Sequence, residues 1–250
     1  MLASPEIEVL SSGYIWTEGP VWLAAEKALY FTDVPAATIF RWSEADGVTA
    51  HVRDAGGWDG SNIEDIETLA EPGSNGMHID PSDPEQVFIC QHPLRRVIRV
   101  KLGAITPGTR MCENEEHWTV VADKTPSGGR LNSPNDVCVG SDGAVWFTDP
   151  PYGMLEKARF SDEFFVRQNY PPPAPHIKPE EEGGPKSYLD EKAAAAAGTK
   201  GVYRVPPGGG AIELGTDLHE RPNGLAFSPD FKVRHRPPVD SLENLLTYMY

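Results

Sequence analysis

Pro134-Asn135-Asp136-Val137-Cys138-Val139 opens a stretch that turns at Ser141-Asp142-Gly143, continues as Val145-Trp146-Phe147-Thr148-Asp149 and resumes at Gly201-Val202-Tyr203-Arg204-Val205. β-Branched and aromatic residues alternating with polar ones, broken by an Asx-Gly turn, read as antiparallel strands. The same order occurs twice upstream. Glu18-Gly19-Pro20-Val21-Trp22 leads to Ala28–Asp33 and Thr38–Trp42, and Asn75–Asp80 leads to Val87–Cys90 and Arg96–Val100. A fourth copy opens with Pro222-Asn223-Gly224-Leu225-Ala226-Phe227-Ser228-Pro229-Asp230 and goes no further.

Glu18, Asn75, Asn135 and Asn223 start these copies at spacings of 57, 60 and 88 residues. A recurring set of strands at such a period is the signature of an all-β propeller rather than of a sandwich, and the spacing leaves room for an outer strand or long loop in each blade. Residues 1–230 therefore read as an incomplete propeller of about three and a half blades. The last spacing is enlarged by an insertion over about 154–200. Its run Tyr170-Pro171-Pro172-Pro173-Ala174-Pro175 excludes a central strand, while Leu189–Ala197 before Gly198 suits a short helix. Residues 231–250 break the pattern and read as a divergent tail, coil followed by a short helix capped at Asp240 or Ser241 and running through Leu242, Leu245 and Leu246.

The 250 residues carry 24 Gly, 24 Pro and a formal charge of −15. Such a composition suits many turns between short strands, and the acidic balance argues against a nucleic-acid partner. The N-terminus shows no basic stretch before a long apolar run, so no signal peptide or membrane anchor is expected and a cytoplasmic location is the default. Cys90, Cys112 and Cys138 are an odd set without CxxC spacing and are expected to be reduced thiols. HExxH, G-x-S-x-G and P-loop motifs are absent, which lowers zinc-protease, serine-hydrolase and nucleotide hypotheses.

In a propeller the starts of the innermost strands converge near the axis. One carboxylate with several amide carbonyls makes a hard oxygen site suited to Ca²⁺, Mg²⁺ or Mn²⁺. Asn-Gly and Asn-Asp are also ordinary turn formers. Glu18 is a poor turn former at the same repeat position, which shifts the reading toward a site. Asp149 has a counterpart in Asp33, so a recurring strand-end Asp competes with a pocket acid there, and His92 reads as a lone exposed histidine.

Thr17-Glu18-Gly19-Pro20-Val21-Trp22, Arg130-Leu131-Asn132-Ser133-Pro134-Asn135-Asp136-Val137, Phe147–Gly153 and Arg221–Asp230 together resemble the gluconolactonase and regucalcin (senescence marker protein) family of six-bladed propeller hydrolases. The resemblance covers about residues 12 to 230. It implies one divalent cation on the axis, calcium by preference with Mg, Mn or Zn admissible, with Glu18, Asn135 and Asn223 as metal ligands. It also implies a sugar lactone or related ester as substrate, for which Asn75, Asn132, Asp149 and Tyr152 are the candidate contacts. The family's late-blade aspartate, a ligand and proposed general base, has no match after Asp230, so the catalytic residue is unassigned. Three expectations follow: a metal-dependent lactone hydrolase, a non-catalytic propeller fragment that self-associates through an open edge, or the product of a mispredicted gene. No nucleic-acid or membrane partner is expected.

Overall fold

A computed structural model describes residues 7–59, 71–154, 198–219 and 221–228, together with the backbone of 245–247. The first repeat folds as four antiparallel strands, β1 (Thr17–Leu23), β2 (Ala28–Asp33), β3 (Thr38–Ser43) and β4 (Gly47–Arg53). The second gives β5 (Ser74–Ile79), β6 (Val87–Gln91) and β7 (Arg96–Val100). A two-residue strand, β8 (Thr109–Arg110), then crosses to pair in parallel with β4, and β9 (Trp118–Ala122) closes the second sheet beside β7. The third sheet orders β10 (Val137–Val139), β11 (Val145–Asp149), β12 (Gly201–Val205) and β13 (Glu213–Thr216). These are three successive propeller blades. The innermost strands β1, β5 and β10 are neighbours in that order, followed by β14 (Leu225–Phe227).

Period-2 alternation gives each middle blade two apolar faces. Ile89 and Ile98 join Val21, Tyr30, Ile39 and Met77 in a core between blades 1 and 2. Phe88, Cys90 and Val97 point the other way, toward Val137, Phe147 and Tyr203 of blade 3. Cys138, Trp146 and Val202 then meet Leu225 and Phe227. A sheet buried on both sides at such a spacing is held mainly by the apolar area it removes from water.

The tail departs from expectation. Leu245–Thr247 is not helical but forms strand β15, antiparallel to β14 with Leu225 opposite Thr247. The edge of β14 offers unpaired backbone groups, and a strand satisfies them where a helix cannot. The remainder of 231–250 and nearly all of the 154–200 insertion, including the expected helix at Leu189–Ala197, lie outside the described residues. Among the described residues no helix is long and apolar enough to cross a membrane. Cys90, Cys112 and Cys138 are free thiols.

Candidate active site

Strand register places three of the four repeat starts at one structural position. Thr17 opposes Asp33 in blade 1 and Ser74 opposes Gln91 in blade 2, so Glu18 and Asn75 are equivalent, and each is followed by a bulge. Val137 opposite Phe147 puts Asn135 in the same place in blade 3. The bulges bend the backbone out of the ladder at these points.

Close backbone approach links the positions in series. Gly19 has φ +53°, and a Cβ there would lie 2.6 Å from the Asn75 carbonyl oxygen, so only glycine lets β1 come this near β5. Gly76 donates its N–H to the Asn135 carbonyl at 2.7 Å, and a Cβ on it would meet the same oxygen. The Thr148 hydroxyl donates to the Asn223 carbonyl at 2.8 Å, while the Leu225 N–H donates to Asp136 Oδ2 at 2.8 Å. Asn75 and Asn135 are buried, Asn223 is half-buried, and Glu18 is open to solvent on one side.

Charge accumulates here. Partial burial, then the neighbouring carboxylates Asp136 and Glu71, push the Glu18 carboxyl above the ordinary carboxylate range, and His92 pulls it back. Burial likewise raises Asp136, against the amides of Leu225 and Val137 that hold its ionised form. Among the described residues no group of three or more His, Cys, Asp or Glu side chains is arranged to hold a metal. The predicted set is of a different kind, one carboxylate with amides from three neighbouring strand starts, and this oxygen-only chemistry in a region of crowded negative charge fits a hard cation. A cleft of about 400 Å³ reaches Glu18 from the outer flank of blade 1, along Tyr14, Leu29, Phe31 and Trp42, and none of the axial asparagines lines it.

Three other predicted contacts are engaged with the fold. Asn132 spends its side-chain amide on the Asp149 carbonyl at 3.1 Å and the Thr199 carbonyl at 3.2 Å, and its Oδ1 accepts the Gly198 N–H at 2.7 Å. It thereby ties the return of the insertion to blade 3. Tyr152 is buried, its hydroxyl 3.5 Å from the Arg221 carbonyl. Asp149 is fully buried and accepts the Asn132 N–H at 2.8 Å. Asp33 does the same in blade 1, accepting the N–H groups of Ile15 at 3.0 Å and Trp16 at 3.4 Å. Each aspartate clamps the end of the second strand to the approach of the innermost one.

Sequence reasoning missed what replaces this clamp in blade 2. His92, expected to be exposed, is fully buried and packs against Gly153 of blade 3. Its Nδ1 lies 3.0 Å from Oε2 of the buried Glu71, off hydrogen-bond alignment, and its Nε2 has no partner among the described residues. The available signal was the repeat register itself. Gln91 stands where the other blades have Asp, and Pro72 stands where they have a donating N–H.

The family profile described as SMP-30/Gluconolactonase/LRE-like region matches residues 16–171. A gluconolactonase of Zymomonas mobilis is 32% identical over 231 residues, covering 91% of this chain and 50% of the relative. A solved gluconolactonase from Xanthomonas campestris superposes with a TM-score of 0.56 at 26% identity, over 89% of this chain and 54% of that one. A second solved structure, of a candidate gluconolactonase, gives 0.55 at 26% identity, over 95% and 57%. The chain thus spans about half the length of the relatives it matches. Since the profile match takes in more than half of its residues, this chain belongs to the SMP-30/gluconolactonase/LRE-like family.

Proposed function

We propose that the axial positions bind one divalent cation, calcium by preference, and that the protein hydrolyses sugar lactones or related esters. The observation that carries this reading is the succession of Glu18, Asn75, Asn135 and Asn223 at equivalent starts of neighbouring innermost strands, with a single carboxylate among amides. Glu18, Asn135 and Asn223 would hold the ion, and Asn75 faces the substrate beside them. When bound, such an ion polarises a lactone carbonyl and acidifies a coordinated water. The chain's own part is placement: the glycine-permitted approach at Gly19 and Gly76 and the Thr148 and Asp136 bonds fix where the donors stand. The formal charge of −15 is compatible with cations and neutral sugars and opposes anionic polymers. A cytoplasmic location belongs to the same proposal.

A pH-stat assay on gluconolactone with calcium present tests it. Glu18→Gln keeps the size of the side chain and removes its charge, and is expected to lower kcat/KM by about a hundredfold, the scale of a lost Lewis-acid contribution. Undiminished hydrolysis by Glu18→Gln, or hydrolysis indifferent to a chelator, contradicts the reading.

A further inference from the structure

The aspartate clamp is a repeated device, so its replacement in one blade calls for a cause. In blades 1 and 3 the second strand ends in Asp33 or Asp149, whose carboxylate takes N–H groups from Ile15 and Trp16 or from Asn132. The matching residues in blade 2 are Gln91, Pro72 and Gly73. Pro72 has no N–H to give. Gln91 turns away, donating to the Ala55 carbonyl at 2.8 Å and accepting from Arg96 Nε at 2.6 Å. One element of the shared geometry survives, because the His92 N–H bonds the Gly73 carbonyl at 3.3 Å just as Val34 bonds Trp16 in blade 1.

Where the clamp is lost, two buried ionisable side chains appear, one residue before and one residue after its positions. Glu71 precedes Pro72 and His92 follows Gln91. Tyr14 and Leu131 occupy the place of Glu71 in the other blades, and Val34 and Pro150 that of His92, none of them ionisable near neutral pH. Replacing apolar or neutral groups with a buried pair is not a route to stability, since desolvation offsets most of the attraction between the charges. A carboxylate oxygen 3.0 Å from Nδ1 repels a lone pair, so that nitrogen carries a proton. Nε2, also buried, has no partner among the described residues, which is itself unfavourable. Both stand at the approach to the axial strand start of blade 2: the His92 N–H bonds the Gly73 carbonyl two residues before Asn75, and Glu71 lies four residues before it.

We infer that Glu71 and His92 are positioning residues of the axial site, set in blade 2 in place of the carboxylate-to-backbone clamp that blades 1 and 3 use there. This rests on the lactonase reading above. Glu71 lies against the imidazole, Gly153 packs on it, and the pair sets the placement of Asn75, four residues after Glu71 and two after the Gly73 carbonyl that His92 holds.

The decisive experiment writes the clamp of the other blades into blade 2. The quadruple variant Glu71→Leu, Pro72→Ile, Gln91→Asp, His92→Val restores the carboxylate and the donating N–H while removing the pair. It is expected to melt within a few degrees of wild type yet to lose about 10- to 100-fold in kcat on gluconolactone with little change in KM, the usual cost of removing an orienting partner. The isosteric variants Glu71→Gln and His92→Asn give the same readout should the quadruple variant not fold, and His92→Gln, which can return a polar group near Nε2, is expected to recover part of kcat. Wild-type kcat in the folded quadruple variant, or in both isosteric variants, overturns the inference while leaving the lactonase reading intact. A wild-type chain that neither hydrolyses gluconolactone nor takes up calcium in calorimetry defeats both.

Discussion

Blades 1 and 3 end their second strands in a buried aspartate that accepts backbone N–H groups, whereas blade 2 ends in Gln91-His92 and faces Glu71 across a proline. The three blades share the antiparallel order of their first four strands, and this contrast lies at the axial lip. A repeat therefore offers its own control: what all blades have serves the fold, and what one blade alone has is a candidate for the site.

The largest effect should come from the shared packing. Phe31, Ile89 and Phe147 are equivalent, but Phe147 is fully buried and stacks on Tyr203 at 5.6 Å, while Phe31 borders the open cleft beside Tyr14. Phe147→Ala should cost about 4 kcal/mol and Phe31→Ala about half as much by denaturant titration. Equal losses would mean that the outer flank of blade 1 is as closed as the inter-blade core.

The clamp comes next and carries a pH signature. Burial, against the amides of Asn132 and Ser133 and the charge of Arg95, pushes the Asp149 carboxyl up to about 7. The folded chain then holds this proton more tightly than the unfolded chain, whose aspartates titrate near pH ~3.9. Its stabilising contribution is full below that value and is lost as pH rises toward 7. Denaturant melts at pH 5 and 7.5 should show wild type losing more stability than Asp149→Asn over that interval. Parallel losses would show that the carboxyl titrates normally.

The smallest effect separates blade 3 from blade 2 at the preceding residue. Thr148 Oγ1 donates to the Asn223 carbonyl and accepts the Asp136 N–H at 3.0 Å, while blade 2 has Cys90 there. Thr148→Val should cost about 1 kcal/mol and Cys90→Val close to none. A comparable cost for both would remove the distinction.

Much of this architecture was legible in the chain. Alternation and Asx-Gly turns located β1 to β3, β5 to β7, β11 and β12 within a residue or so, and the offsets identified the blades. The outer strands β4, β9 and β13 are less visible because their exposed faces are polar or irregular, as at Glu213–Thr216, which runs from exposed to half-buried without alternating. Strand β15 was read as helix since three residues of Leu-Leu-Thr carry no usable period, and the edge of β14 decided their form. At the site, the four starts could be found from spacing alone. The roles of Asn132 and Asp149 could not, because Asn132 binds Gly198 and Thr199 across 66 and 67 residues of chain. His92 looked exposed because nothing local signals that a glycine in the next blade will receive its ring.

Calorimetric titration of calcium into the wild-type chain and into Glu18→Gln tests the axial site most directly. A single saturable site is expected in wild type, its affinity falling by at least about tenfold in the variant. No uptake by wild type, or uptake that Glu18→Gln leaves unchanged, would contradict it.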